Sequence, residues 1–338
     1  MISYFYSGEP ERHGLVELER PESQQRLGFT PDLFYSSEDF NFRHPEFCRA
    51  VEEVGGLEFK PLGERPRIGV LPELIPTLPS PSAARLLQSV GPDELFAARF
   101  QTIRSGGRRT IPSSGPVINF HERSSGAYLV HGEWKDKTQL SLLTTAKSGR
   151  LIVDPQAILV PPIFSVYTDG TQLRELQLLN LKRSLYFAEL MSAAGYTVIP
   201  GIGVANDTDV GRLVEWMHAS TPKVTHLAMN CQMGPKALRA VVRDAAKICK
   251  ESSLPVHFVL FGPSSRTSFA QVYEHLPPER VTFVTQAAWH RARTTLSRGE
   301  RQNPILLLRQ YLDKLHEMEL DRQWAAERAV LRNGPYLS

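Results

Sequence analysis

The segment 225–262 reads THLAMNCQMGPKALRAVVRDAAKICKESSLPVHFVLFG, with two short apolar runs on either side of a longer amphipathic run. In the middle run, 235–252, apolar residues recur at spacings of three and four, which is one face of a helix. They are Leu238, Val241, Val242, Ala245 and Ile248. Pro235 suits the first turn of that helix. The outer runs, 225–231 and 256–262, are apolar throughout, which is typical of parallel strands covered on both faces. The segment therefore predicts a strand–helix–strand unit.

The same alternation continues on both sides of this unit. Further strands are predicted at 151–154, 164–167, 197–204 and 281–286, and helices at 172–194 and 207–219. The first half of the chain offers strands at 67–74, 117–121 and 127–132. Such a series fits an open doubly wound sheet or a TIM-like (β/α)8 barrel. The strands of the first half favour the barrel, so we expect an α/β fold of that class.

The remaining segments set the predicted domain boundaries. Residues 1–66 form an N-terminal extension with one short helix at 42–55, residues 67–300 the barrel, and residues 301–338 a C-terminal tail that is helical from 303 to about 330. Two segments are predicted as loops: the proline-rich 72–84 and the glycine, serine and arginine-rich 104–116.

Composition excludes several classes of protein. The chain has 338 residues, 41% of them apolar, and 39 basic against 36 acidic residues give a net charge of +3, so it is not a generally basic nucleic-acid binder. Cys48, Cys231 and Cys249 lack metal-ligand spacing, which predicts no metal and a reducing compartment. No run approaches the ~20 apolar residues of a membrane helix. We expect a cytoplasmic protein with no membrane segment and no cofactor.

In a parallel α/β fold, ligands bind at the carboxyl ends of the strands. Two acids follow predicted strands, Asp154 before Pro155 and Asp169 before Gly170. A carboxylate there can act as a nucleophile or as a general acid or base. Acids before glycine or proline are also ordinary turn residues, which is the favoured interpretation for Asp154 and an equal alternative for Asp169.

Three residues at later strand ends are candidate binding residues. Gly201 lets a backbone approach a ligand, although the stretch 201–209 is better interpreted as a helix cap than as a phosphate loop. Asn230 offers an amide for reading the edge of a base. Cys231 follows it and is expected to line the pocket rather than to act as a nucleophile, because no base neighbours it in the sequence.

The last predicted strand opens onto a cluster of binding-type residues. Gln286 ends it, Trp289 can stack on a planar ring, and Arg291 and Arg293 can bind a phosphate. The alternative is that the tryptophan packs and the arginines begin a solvated helix. If the first interpretation holds, the partner is a nucleic acid or a nucleotide.

The order VIPGIGV (198–204), THLAMNCQMG (225–234), VHFVLFG (256–262) and VTFVTQAAWHRAR (281–293) resembles the second half of the tRNA-guanine transglycosylase-like barrels. The likeness is strongest to phage and bacterial relatives that insert 7-deazaguanines into DNA. The segment 161–204 also resembles a family of uncharacterised barrel proteins from phages and plasmids.

The resemblance implies a glycosyltransferase that exchanges the base of a nucleoside, with one carboxylate attacking the sugar and a second handling the proton of the base. Asp169 and Asp154 are the candidates for this pair. Thr285 and Gln286 stand where the final strand of those enzymes carries a nucleophilic aspartate, and their zinc ligand set is absent. The sequence therefore predicts either a transglycosylase-like enzyme acting on nucleic acid or a catalytically silent barrel. A silent barrel would serve as an interaction subunit of a DNA-modification or anti-phage defence system.

Overall fold

The computed structural model describes most of the chain from residue 45 to residue 333. The described ranges are 45–78, 97–99, 129–132, 136–149, 151, 157–167, 172–231 and 235–333. Asp154, Asp169, the strand predicted at 117–121 and the loop predicted at 104–116 lie outside them.

The described residues form an α/β fold built on one sheet of nine strands. The strands are β1 (Leu74–Leu78), β2 (Ala97–Arg99), β3 (Leu129–His131), β4 (Ile158–Val160), β5 (Thr197–Val198), β6 (Gly201–Ile202), β7 (His226–Asn230), β8 (His257–Phe261) and β9 (Val281–Thr285). Their order is β5-β4-β3-β2-β1-β9-β8-β7-β6, and every neighbouring pair is parallel. The carboxyl ends of all the strands therefore lie along one edge, as the sequence predicted.

The two outermost strands of this order are neighbours in the chain. β5 pairs with β4 at one end and β6 with β7 at the other, and Ile199 and Pro200 connect them. The N–H of Ile199 donates to the carbonyl of Leu159 in β4 at 2.8 Å, and the carbonyl of Pro200 accepts from the N–H of Ala228 in β7 at 2.8 Å. Ile199 and Pro200, which are adjacent in the chain, thus bond to β4 and β7, the strands next to the two opposite ends of the order.

Helices follow most of the strands. They are α1 (Pro45–Glu53), α2 (Asp136–Lys147), α3 (Arg174–Ala193), α4 (Asp207–Ala219), α5 (Pro235–Ser252), α6 (Arg266–Tyr273), α7 (Ala287–Thr295) and α8 (Pro304–Asn333). The predicted helices 207–219 and 235–252 are confirmed as α4 and α5. The capping interpretation is also confirmed, because the Asn206 side chain accepts from the N–H of Asp209 at 3.0 Å. None of the described helices is long and apolar enough to cross a bilayer.

In the first half of the chain, the structure differs from the prediction at two strands. FSVY (164–167) is not a strand, and β4 lies earlier, at Ile158–Val160. The strand predicted at 67–74 begins only at Leu74 and continues through the supposed loop, so that Pro76 lies inside β1 between two neighbours. One proline removes one donor from the ladder, whereas β1 buries Ile75 and Thr77, and this burial overrides the local preference.

Two apolar layers enclose the sheet. The larger lies between the sheet and the helices and includes Leu213, Val242 and Phe269. The smaller consists of side chains on the other face of the strands, including Ile75, Leu129, Val160, Ile199, Ala228, Val259 and Val284. Strands buried on both faces explain why their sequences are apolar throughout.

Residues 57–62, before the sheet begins, are bound to the outside of α3 and α4. Trp216 Nε1 donates to the carbonyl of Lys60 at 2.8 Å, and Lys182 Nζ donates to that of Glu58 at 2.6 Å. The N–H of Leu62 donates to Ser220 Oγ at 3.0 Å. This part of the predicted extension is therefore packed on the α/β unit.

The last helix also packs on the outside of the fold. α8 lies against α6 and α7, and its residues Tyr311, Met318 and Ala325, spaced by seven, are buried. Arg322, also buried, forms ion pairs with Glu73 and Glu319. The helical tail predicted from residue 303 is thus confirmed.

Candidate functional site

The carboxyl edge of the sheet is where the candidate site begins. In the register Asn230 lies beside Phe261, Phe261 beside Val284, and Arg99 beside His131. Side chains alternate between the two faces of a strand. Asn230 and Phe261 therefore stand at the same level of the sheet, and His131 is the last residue of β3 at the same edge, although 130 residues separate His131 from Phe261 in sequence.

Strands that are far apart in the order approach each other at this edge. The rings of His131 on β3 and Phe261 on β8 have their centroids 4.9 Å apart, although three strands lie between them in the order. His131 is only 2% exposed, and its Nδ1 lies 3.2 Å from the carbonyl oxygen of Gly132. The sheet is therefore strongly curved, with this face on the inside. His131 lies near the end of the strand predicted at 127–132, so its position at the carboxyl edge could have been predicted from the sequence, but it is not among the candidate residues above.

The segment 161–167, which follows β4, covers the ends of two other strands. A Cβ added at Gly132, after β3, would lie 2.5 Å from Cα and 2.7 Å from N of Pro162. A Cβ at Gly201 would overlap the side chain of Ile163 and lie 3.2 Å from the carbonyl oxygen of Pro161. Gly201 was predicted to admit a ligand. Instead, Pro161 and Ile163 fill the space beside it, so Gly201 is not retained as a binding residue.

Gly132→Ala is expected to destabilise the protein by about 1–3 kcal/mol or more, because the methyl group meets the backbone of Pro162, which cannot rotate away. Urea unfolding measures the change. Gly211→Ala is the matched control: Gly211 lies inside α4 with open space around it, so alanine there should stabilise by about 0.4–1 kcal/mol. Equal stabilities of the two variants would contradict the close packing at Gly132.

Side-chain amides bind both sides of the segment that contains Asp169. The side-chain oxygen of Gln172 accepts from the N–H of Tyr167 at 2.8 Å, and its nitrogen donates to the carbonyl of Ser165 at 3.2 Å. Gln177 donates to the carbonyl of Tyr167 at 2.6 Å, and Asn180 to that of Ser165 at 2.7 Å. Residues 167 and 172 are thus joined across 168–171, so the chain on each side of Asp169 is held in place.

A buried ion pair ties this region to the next helix. The two terminal guanidinium nitrogens of Arg174 both donate to Asp209. Nη1 donates to Oδ2 at 2.7 Å, and Nη2 donates to Oδ1. Asp209 Oδ2 also accepts from the N–H of Ala205 at 3.1 Å. The two side chains are 13% and 2% exposed. The pair therefore fixes the start of α3, immediately after the segment of Asp169, against the start of α4. Sequence analysis missed it, because residues 35 positions apart give no sign of pairing.

Asn230 and Cys231 end β7 but lie in different surroundings. Asn230 is half-buried at the carboxyl edge. Cys231 is buried in the apolar layer between sheet and helices, and its N–H donates to the carbonyl of Phe261 at 2.8 Å. Burial raises the pKa of the Cys231 thiol far above its ordinary value, so the sulfur stays protonated and is a poor nucleophile.

The residues of the predicted cluster after β9 lie in different surroundings. Gln286 is half-buried at the start of α7. Arg291 donates to the carbonyl of Ser264 at 2.6 Å, in the loop after β8, and Arg293 is exposed. Trp289 is 8% exposed and packs edge-on against Tyr311 of α8 at 5.7 Å. The stacking role predicted for Trp289 does not fit this position, because its ring fills the layer between two helices. Gln286 and Arg291 remain at the site.

Comparison with models of known protein families gives no match. Comparison with curated proteins likewise gives no significant match.

Proposed function

We propose that the strands form a closed (β/α)8 barrel in which β5 and β6 are the two halves of its fifth strand. The hydrogen bonds of Ile199 and Pro200 to opposite ends of the strand order support closure. The contact between His131 and Phe261, across the inner face, supports it too. In such a barrel the carboxyl ends surround a single mouth.

The proposed function is base exchange at a nucleoside within a nucleotide or nucleic acid, carried out at this mouth. The supporting observation is that His131, Asn230 and Phe261 end their strands at the carboxyl edge, and that Ser165 and Tyr167, which follow β4, are held by the side chain of Gln172. Asn230 and Gln286 would read the edge of the base, because amides offer both a donor and an acceptor. Arg291, in the middle of α7, would lie near the phosphate.

The chemistry assigns the two acids different roles. A carboxylate oxygen of Asp169 attacks the anomeric carbon of the sugar, forming an ester bond while the glycosidic bond breaks. The bonding electron pair leaves with the ring nitrogen of the departing base, which takes a proton from Asp154. The incoming base then gives its ring proton to Asp154, and its nitrogen attacks the same carbon and releases Asp169. No oxidant or metal is required by this sequence of steps.

A second candidate function is a catalytically silent barrel that binds nucleic acid as a subunit of a DNA-modification or defence assembly. The end of β9 favours it. Thr285 lies where a transglycosylase would carry an acid, and its hydroxyl accepts from the N–H of Ala287 at 3.2 Å, as a structural residue does. Gln286, the next residue, cannot act as a nucleophile either.

Incubation of the protein with labelled guanine or a labelled 7-deazaguanine, and with tRNA or duplex DNA, distinguishes the two candidates. Base exchange predicts that label enters one of the two polymers. The silent barrel predicts no incorporation together with nucleic-acid binding that weakens steeply as salt rises. Absence of both incorporation and binding would reject both candidates.

A further inference from the structure

A cleft lies away from the carboxyl edge. It has a volume of about 310 Å³ and opens between residues 65–68, which precede β1, and residues 222–226, which lead into β7. His226, the first residue of β7, lines it, whereas Asn230 of the candidate site is the last. At about 3.3 Å per residue, about 13 Å of strand separates the two positions. The cleft is therefore distinct from the mouth.

The charge of the cleft is one-sided. Its ionisable lining residues are Arg65, Arg67, Lys223 and His226, all of them basic. Within the described part of the chain, Arg65, Arg67 and Lys223 form no ion pair. Arg65 is half-buried, and burial lowers the pKa of its guanidinium. Three cations that face one cavity, with no carboxylate among its described lining residues, repel one another, and an anion would relieve that repulsion.

His226 adds a neutral polar group to this lining. Burial, and to a lesser degree the neighbouring His257, lowers the pKa of His226 to about 4, so its ring is uncharged at neutral pH. The two rings lie 5.3 Å apart. His257 is held in turn by Thr282, whose hydroxyl lies 2.8 Å from its Nε2 and donates to the carbonyl of Pro72 at 2.8 Å. His226 therefore packs against a ring that is itself held by a hydrogen bond.

Apart from Thr225, the remaining described lining is apolar and includes Ile68, Val198, Pro200 and Val224. Small-molecule sites combine such walls with a few convergent polar groups, and their volumes start at about 300 Å³. A compact molecule with an anionic end fits both features. Its body would contact the apolar wall, and its anion would meet the cations.

We propose that this cleft binds a small phosphate monoester, with its phosphate held by Arg65, Arg67 and Lys223 and its organic part against the wall formed by Val198 and Pro200. The site is independent of the proposed base exchange, because its three cations precede β1 and β7 and so lie away from the carboxyl ends of those strands.

Calorimetric titration of the full chain with GMP, inorganic phosphate and pyrophosphate, at low ionic strength, tests the proposal. We expect saturable binding of GMP at this cleft with a Kd below about 1 mM. Arg65→Ala and Lys223→Ala should each weaken it by about tenfold or more, since charge-assisted hydrogen bonds are lost. Both side chains are at least partly exposed, so both variants should fold.

Lys236→Ala is the matched control, an exposed lysine at the start of α5, and should bind GMP as the unsubstituted chain does. Unchanged binding in Arg65→Ala and Lys223→Ala, or no binding of any of the three ligands, would overturn the proposal. A single-stranded oligonucleotide is the last probe. If it alone binds, and the two substitutions weaken it, the cations contact a nucleic-acid backbone instead and the monoester site is rejected. Base-exchange activity should be unaltered in all three variants, which keeps the two proposals separable.

Discussion

Replacement of Asp169 by asparagine is expected to reduce base exchange by about three orders of magnitude or more, as the loss of a nucleophile does in other enzymes that form covalent intermediates. An amide retains the size of the carboxylate but cannot attack the anomeric carbon. Single-turnover incorporation of a labelled base measures the effect. Affinity for the base should change far less, because Asn230 and Gln286 are assigned its recognition.

The control for this substitution is Asp313→Asn. Asp313 is exposed on α8, on the outside of the fold, and its loss should leave the rate unchanged. If Asp169→Asn exchanged bases as fast as the unsubstituted protein, Asp169 would not be the nucleophile. Loss of exchange accompanied by unfolding would not count as support, so the urea midpoint of the variant must match that of the unsubstituted chain.

Asp209→Ala is expected to lower the free energy of unfolding by about 3–5 kcal/mol, because it leaves the Arg174 guanidinium buried without its counter-charge. The substitution also removes the acceptor for the N–H of Ala205. Urea unfolding at pH 7, followed by circular dichroism, measures the change. Arg174→Ala should have a similar cost, and the double variant should lose less than the sum of the two.

Asp207→Ala is the matched control for Asp209→Ala. Asp207 lies in the same turn of α4 and pairs with Lys247, but its side chain is 77% exposed. Exposed pairs contribute about 0.2–1 kcal/mol, so the control should unfold almost as the unsubstituted chain does. Similar losses at positions 207 and 209 would contradict the burial of the pair between Arg174 and Asp209.

The second half of the fold could be predicted from the sequence because each element there carries its own local pattern. The apolar spacing of 207–219 and 235–252 matches the bounds of α4 and α5, and the apolar runs match β7, β8 and β9. In the first half, the predicted helix 42–55 and strand 127–132 correspond to α1 and β3, but β1 and β2 lack such patterns. β1 contains Pro76, and β2 consists of Ala97–Arg99, so pairing with neighbours rather than local preference makes them strands.

The site was predictable in outline and not in detail. Parallel strands place their ends on one edge, which is why Asn230 and Gln286 lie where they were expected. The surroundings of Gly201 and Trp289 depend on residues distant in the sequence. Ile163 packs over the glycine, and Tyr311 packs against the tryptophan ring. The side-chain amides of Gln172 and Gln177 donate to the carbonyls of Ser165 and Tyr167. A single sequence does not show which carbonyl a side chain will reach.

The most direct test of the central proposal is a crystal structure of the protein with a bound guanine or 7-deazaguanine. Closure of the strands into one barrel predicts the base at the carboxyl mouth, with the amides of Asn230 and Gln286 at its edge and the carboxylate of Asp169 facing the position of the sugar. A base bound elsewhere, or Asp169 on the opposite side of the sheet from Asn230, would contradict the account.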